Sequence, residues 1–460
     1  MTFDLVVRGG RVVTAHEDYL ADVGVSGGTI AAIGSGLRGT REIDASGKLV
    51  IPGAIDGHVH MRTERPTSVY DDDWDTGTIA AAFGGVTAIV DQAQVEPGTT
   101  LADGVAKRLA EAEGKAVVDY GLHVNLREPN IERIGEFEAL VARGMPSFKF
   151  YMTYDTYKVP DDVLFAGMQE VGRLGGLAIV HAENDVMIAE LERQNAAAGR
   201  SGARANAAAR PPEFEGEAVH RALAMARVAG ARTLIFHVTA ADAVRELAAA
   251  KGRGQAAFGE AVLHYLMLTI DATDEPVSGT ALDVGPPLRH ETHRRCLWEA
   301  LASGALDIIS TDHGPRRRVR AADGTVTTPP GTSGVEVRLA LAHTFGVRAG
   351  HLSPQRWVEV CCTRPAEVFG LTRKGRILPG YDADLVVFDP ERRVTLSHTN
   401  LHSNIDHSTY EGVEVVGYPV VTIGRGEVLV EGGELQVAPG RGRFVERSYP
   451  QVGGRRSMTH

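Results

Sequence analysis

The chain has 460 residues, more than one ordinary domain holds, and its 43% hydrophobic and 23% charged content is globular and excludes wholesale disorder. Lys plus Arg number 48 against 59 Asp plus Glu, a formal charge of −11; an acidic chain without a basic stripe suits a phosphate backbone poorly, so no nucleic acid partner is expected. No apolar run approaches the ~20 residues that span a bilayer, and Cys296, Cys361 and Cys362 make no disulfide framework, so the expectation is a cytoplasmic protein with no membrane partner.

The first residues, Met1 to Val7, lack the positive-then-apolar order of a secretory leader. Residues 4–13 and 23–33 are β-branched runs split by Gly9-Gly10 and Gly27-Gly28, which is the pattern of hairpins. The middle of the chain alternates. Short apolar runs at 86–90, 120–124, 148–152, 178–180, 234–236 and 308–309 are separated by stretches of helical periodicity such as 101–112, 160–174, 217–229 and 240–250. Strand, helix, strand predicts βαβ units and a parallel sheet. The fold class is therefore α/β, with room for a (β/α)8 TIM-like barrel; an open doubly wound sheet is the competing layout. No Gly-x-Gly-x-x-Gly follows an early strand, which argues against a dinucleotide site.

Two segments read as mobile loops, 196–209 and 313–334, the second long enough to be a lid. Residues 384–389, 420–424 and 427–430 repeat the hairpin pattern of the start. Both termini are thus expected to build one small β-sandwich. The boundaries are 1–52 for its N-terminal part, 53–375 for the barrel, 376–435 for its C-terminal part, and 436–460 for a basic tail at a subunit interface.

His58 and His60 in Asp56-Gly57-His58-Val59-His60 are two apart. On a strand they face the same side, so both imidazoles can reach one metal. They follow the apolar run 49–55, at the strand end where a barrel carries its site. His181 and His237 each close a short apolar run, and Asp312 closes Ile308-Ile309-Ser310-Thr311. Lys149 sits inside Ser147-Phe148-Lys149-Phe150-Tyr151, where burial as a cation is costly. It either turns outward and snorkels, or is neutral and takes up CO2 as a carbamate whose two oxygens can bridge two cations.

The ordered set His-x-His, Lys, His, His, Asp resembles the metal-dependent amidohydrolase superfamily in its binuclear form. The chain is most similar to the hydantoinase/dihydropyrimidinase family, from about residue 4 to about 447. The stretches that carry this are 52–60, Phe148-Lys149 with Tyr154, His181-Ala182-Glu183-Asn184, Arg210-Pro211-Pro212-Glu213, Pro286-Pro287-Leu288-Arg289, Thr311-Asp312-His313, Lys374-Gly375-Arg376-Ile377, Asp382-Ala383-Asp384-Leu385 and Tyr410-Glu411-Gly412. The resemblance implies two divalent metal ions, usually zinc. His58, His60 and Asp312 would hold one and His181 and His237 the other, with a CO2-derived carbamate on Lys149 between them. It implies Asp312 as catalytic acid and base, Tyr154 as donor to the oxyanion, and a homotetramer. The implied reaction opens a hydantoin-type cyclic ureide to an N-carbamoyl amino acid. Dihydropyrimidinase ranks second, and allantoinase or dihydroorotase behind it. Deacylation of linear N-acyl amino acids and a non-enzymatic scaffold are the rivals from other classes.

Substrate contacts are expected at Tyr154, Gly285 and Pro330, two of which depart from the family. Gly285 stands where Ser is typical, and Pro330 stands where Asn is frequent and has no N–H to donate. Loops 62–73 and 154–160 would face the ring substituent. The first holds Arg62, Arg65, Tyr70 and Asp71-Asp72-Asp73; the expectation is that the charges face solvent and Tyr70 or Trp74 turns inward.

Overall fold

The computed structural model describes residues 2–65, 68–96, 98–127, 131–275 and 279–449. Among them, eight parallel strands stand side by side in chain order: Ala54–Val59, Val86–Ala93, Asp119–Asn125, Ser147–Tyr151, Leu177–His181, Arg232–Ile235, Ala257–Val262 and Ile308–Ser310. The ring closes where His313 pairs with Val59 and the His60 N–H donates to the His313 carbonyl at 2.8 Å. Closure settles the layout as a (β/α)8 barrel rather than an open sheet.

Six of these strands fall on the predicted apolar runs. The run at 49–55 divides, with Leu49–Pro52 leaving for a second sheet and Ala54–Val59 opening the barrel. The seventh strand escaped the pattern because Gly259 and Glu260 interrupt its apolar residues. Ile55, Val90, Ile179, Leu234, Phe236 and Ile308 fill the barrel floor together with Phe369 from the last helix. Each buried side chain of this size contributes about 1.5–3 kcal/mol. Gly57 is required by this packing, since a Cβ there would overlap the Phe369 ring.

The predicted helix 101–112 is present as Leu101–Ala112, its first turn capped by Thr100, which accepts the Asp103 N–H. Asp161–Arg173 and Ala241–Gly252 also match. Pro212–Ala229 starts five residues early, because Pro at the first turn loses no hydrogen bond there.

The second sheet joins the two ends of the chain. Among the described residues it has nine strands, and the junction is the antiparallel pairing of Leu385–Thr395 with Leu49–Pro52, Val386 opposite Ile51. Val7, Val12, Val25, Val50, Leu385 and Ile423 share its separate core. The expected β-sandwich is thus one continuous sheet built from both termini around its own apolar centre.

Two expectations need correction. Segment 196–209 is largely helical: Asp185–Ala197 and Ala203–Ala209 flank a short turn, and Asn195 Nδ2 ties them by donating to the Ala205 carbonyl at 2.8 Å. The alanines that made this stretch look featureless are strong helix formers. Segment 313–334 carries a small ribbon, Val319–Arg320 against Val326–Thr327, and its stem is tied down where the Arg317 N–H donates to Asp71 at 2.7 Å.

The tail, as far as residue 449, docks on its own chain. The Tyr120 N–H donates to the Arg443 carbonyl at 2.9 Å, the Val445 N–H to the Tyr120 carbonyl at 2.8 Å, and the Ser448 N–H to the Gly370 carbonyl at 3.0 Å. Arg447 is buried and donates to the Leu122 carbonyl. The rest of the tail, 450–460, lies outside the described residues. Among the described residues no helix is long and apolar enough to cross a membrane.

Candidate metal centre

The C-terminal ends of the barrel strands bring the predicted residues together. His58 Nε2 and His60 Nε2 lie 3.2 and 2.8 Å from Asp312 Oδ1. The three side chains offer ligand atoms within 4.8 Å of one another, a group that could hold a metal ion. His181 ends the fifth strand and His237 follows the sixth; their ring centroids are 4.3 Å apart, and His58 and His237 are 5.7 Å apart. All four imidazoles therefore gather at one rim. The chain holds them there at a conformational cost. Among the described residues five non-glycine positions have positive φ, and three are Tyr154 (74°), His237 (40°) and Asp312 (50°). Strain of this kind persists where the surroundings enforce it, and it collects at functional sites.

Lys149 points inward. It is 1% exposed, its Nζ is 4.1 Å from the centre of the Phe236 ring and 5.1 Å from that of Tyr151, and among the described residues it has no hydrogen-bond partner. Burial pushes its amine down to about 7, although Glu260 and Asp312 pull the other way. The outward, snorkelling alternative is excluded.

Electrostatics separate four of the other groups. Burial raises the Asp312 carboxyl, but His58, His60 and His237 more than offset that and hold it well below the carboxylate range. Burial drives His237 far below the usual imidazole value, with repulsion from His181 and Lys149 adding to it. His181 is lowered by burial. Both are held neutral, the form that binds a cation. Burial lowers His58 too, but Asp312 and Glu260 raise it further.

Two carboxylates behind the imidazoles were not singled out by sequence. Glu260, fully buried on the seventh strand, accepts from His58 Nδ1 at 2.9 Å and from the His237 N–H at 2.7 Å. Glu183 accepts from His181 Nε2 at 2.7 Å, which leaves the His181 Nδ1 lone pair for a cation. Such partners fix tautomer and ring orientation. For Glu260 the available signal was the one that drew attention to Lys149, a charge inside an apolar strand; for Glu183 it was the motif His181-Ala182-Glu183-Asn184.

Tyr154 stands at the same rim, its ring 4.9 Å from that of His181, and its hydroxyl occupies the space a Cβ on Gly285 would need. Pro330 is exposed, one residue before Gly331, whose N–H donates to the Ala281 carbonyl at 3.0 Å. In loop 62–73, Tyr70 turns inward, 5.8 Å from His60. Trp74 is buried against Tyr120 and Arg108 instead. Asp72 departs from the expectation that the charges face solvent: it is buried and accepts from His313 Nε2 at 3.0 Å. Residues 66–67 lie outside the described residues.

Comparison with known proteins agrees with this geometry. The model of the amidohydrolase family matches residues 49–429. The D-hydantoinase of Streptomyces coelicolor is 38% identical over 97% of this chain and 99% of its own length. The crystal structure of D-hydantoinase from Bacillus sp. AR9 superposes with a TM-score of 0.93 at 38% identity, covering 97% of this chain and all of that one. Dihydropyrimidinase from Brevibacillus agri gives 0.92 at 36%, covering 97% and 99%. By sequence and by architecture, over nearly its whole length, the chain belongs to the amidohydrolase family, in its hydantoinase/dihydropyrimidinase branch.

Proposed function

We propose that the protein is a binuclear metal-dependent hydrolase that opens the ring amide of a hydantoin-type cyclic ureide, giving an N-carbamoyl amino acid. The observation that carries this is Lys149: a buried amine without a hydrogen-bond partner among the described residues, pushed down to about 7, at a rim shared with four imidazoles and Asp312. A neutral amine is the form that adds CO2, and the resulting carbamate answers both the missing partner and the missing charge. His58, His60 and Asp312 would hold one cation, His181 and His237 the second, and carbamylated Lys149 would touch both. Zinc is the proposed ion, since neutral imidazole and carboxylate donors suit it. Lewis acidity, which acidifies water and polarises a carbonyl oxygen, is what two divalent cations supply at such a site.

The protein's own groups do the rest. Asp312, ionised at neutral pH, takes the proton of the attacking water and returns it to the departing ring nitrogen. The Tyr154 hydroxyl donates to the oxygen that becomes negative, and its fixed backbone spares reorganisation during the reaction. Glu260 and Glu183 keep the imidazoles in the tautomers the cations require. Gly285 and Pro330 are proposed substrate neighbours. The proposed assembly is a homotetramer, tested by sedimentation.

The direct test is turnover by metal-loaded enzyme of hydantoin, substituted hydantoins of both hands, dihydrouracil, allantoin, dihydroorotate and a linear N-acyl amino acid. Ring opening of hydantoins is the expected result. Turnover of the linear amide alone overturns the reading.

A further inference from the structure

Asp312 stands between two residues whose side chains are each gripped by a buried aspartate. On one side, the Thr311 hydroxyl donates to Asp56 Oδ2 at 2.7 Å and the Thr311 N–H to Oδ1 at 3.3 Å. On the other, His313 Nε2 lies 3.0 Å from Asp72 Oδ2, and both of these side chains are fully buried. Asp56 belongs to the first barrel strand, and Asp72 comes from the loop after it.

The contacts fix the state of the His313 ring. Gly334 and Val335 aim their backbone N–H groups at Nδ1, at 3.2 and 3.5 Å. A backbone N–H can only donate, so Nδ1 carries the lone pair and Nε2 the proton, which it gives to Asp72. The other Asp72 oxygen accepts the Asn404 N–H at 2.7 Å, from the connection between Leu385–Thr395 and Glu414–Gly424. Neither the ring nor the carboxylate can turn without losing a buried hydrogen bond.

The main chain beside the ring is held as firmly. The His313 carbonyl accepts the His60 N–H, and the Gly314 N–H donates to the Thr332 carbonyl at 3.0 Å. The loop that carries Asp72 runs alongside. The Asp71 N–H donates to the Pro315 carbonyl at 3.0 Å, and a Cβ on Gly314 would meet the Tyr70 ring at 2.9 Å. Asp312 itself has a φ of 50°, a left-handed conformation that a non-glycine residue keeps only where its surroundings enforce it. The grips on Thr311 and His313 are that enforcement.

We propose that Asp72 is a positioning residue for the reaction: acting through His313, it holds Asp312 in the strained geometry from which that carboxylate takes the proton of the attacking water and hands it to the ring nitrogen. This rests on the cyclic-ureide reading above. Asp72 itself moves no proton. What it supplies is two fixed acceptor oxygens, one for His313 and one for Asn404, and an amide in its place could serve only one of them.

The test is steady-state turnover of hydantoin by the zinc-loaded wild type, Asp72→Asn and Asp72→Ala, with metal content measured on the same samples and kcat expressed per metal-replete chain. Displacing a reacting group by about 1 Å costs roughly 100-fold, so Asp72→Ala should lose about that much in kcat, with KM within about threefold of wild type. Asp72→Asn keeps one acceptor and should recover to within about tenfold of wild type, the size of one hydrogen bond. Proton transfer by a misplaced Asp312 becomes the slow step, so the solvent deuterium isotope effect on kcat should rise in both variants. A merely structural defect lowers the active fraction and leaves that effect where it was. If Asp72→Ala does not fold, Asp72→Asn carries the test alone. Wild-type kcat per metal-replete chain, or a lower kcat with an unmoved isotope effect, overturns the positioning role while leaving ring opening intact. A wild type that opens no hydantoin overturns the cyclic-ureide reading and the role of Asp72 with it.

Discussion

Glu260 and His58 meet at 2.9 Å, carboxylate oxygen to Nδ1, and the same oxygen accepts the backbone N–H of His237 at 2.7 Å. One buried group on the seventh strand thus sets a ring on the first strand and the main chain beside the sixth, one residue from each half of the proposed binuclear site. Glu260→Gln keeps an acceptor but loses the charge, whereas Glu260→Ala loses both. Losing such a partner weakens metal binding by about 10–100-fold, so the expected order is wild type, then Gln, then Ala. Competition with a chelator, read by metal content, measures this. Undiminished affinity in the Ala variant would remove the positioning role.

Lys149 supplies the second prediction. Lys149→Ala leaves a gap in place of the proposed bridge, and the proposal requires activity to fall by at least roughly 100-fold, because two cations would then lack a common ligand. Acetate or propionate, small enough to enter the gap, should restore part of it in a concentration-dependent way. Lys149→Met fills the volume without a group that can carry CO2, so it should stay inactive with or without the added acid. Unchanged activity in the Ala variant would refute bridging.

Tyr154→Phe removes the donor but keeps the ring against His181. The expected loss is about 10²–10³ in kcat, with KM changed far less, because the oxygen to be stabilised is negative only in transit. Gly285→Ala should lower kcat as well, since the new methyl takes the place of the Tyr154 hydroxyl. A crystal structure of that variant should show the Tyr154 ring displaced. Full kcat with an unmoved ring would mean that the hydroxyl has no part in the step.

The sequence carried the site better than its supports. His58, His60, Lys149, His181, His237 and Asp312 were legible because each is a polar residue closing or interrupting an apolar strand, and a barrel sends such positions to one rim. Glu260 had the same property, but its strand was invisible, since Gly259 and Glu260 together broke the apolar run. The helices at 185–209 were hidden by composition: alanine stretches carry little of the apolar-polar contrast that marks a buried face. The docking of residues 439–449 was illegible for another reason. Nothing in a Gly- and Arg-rich tail indicates that Arg447 will be buried beside the carbonyl of Leu122, a contact across more than 300 positions. Lys374 and Asp384 lay within recognisable motifs, yet Asp119, the other carboxylate that shares the Lys374 ammonium, is far away in the chain.

That partnership yields the last prediction. Lys374 Nζ lies 2.8 Å from Asp119, 2.7 Å from Asp384 and 3.3 Å from Asp382, and it is buried. Asp119 opens the third barrel strand and Asp384 immediately precedes the strand that joins the two ends of the chain, so one ammonium fastens barrel to sheet. Burial raises the Asp119 carboxyl, but Lys374 and then Arg425 overcome that and lower it. A carboxylate lowered in the folded state stabilises above its unfolded value of about 3.9, and that contribution is lost as pH falls through the folded value. Lys374→Met leaves Asp384 without its ammonium partner and Asp119 with Arg425, which should cost about 3–5 kcal/mol at neutral pH. The deficit should shrink below about pH 4, where the abandoned carboxylates take up protons. Denaturant unfolding of both proteins at pH 7 and at pH 3.5 checks the sign: a deficit equal at both values would mean that lost packing around the side chain, not charge, is what the substitution removes.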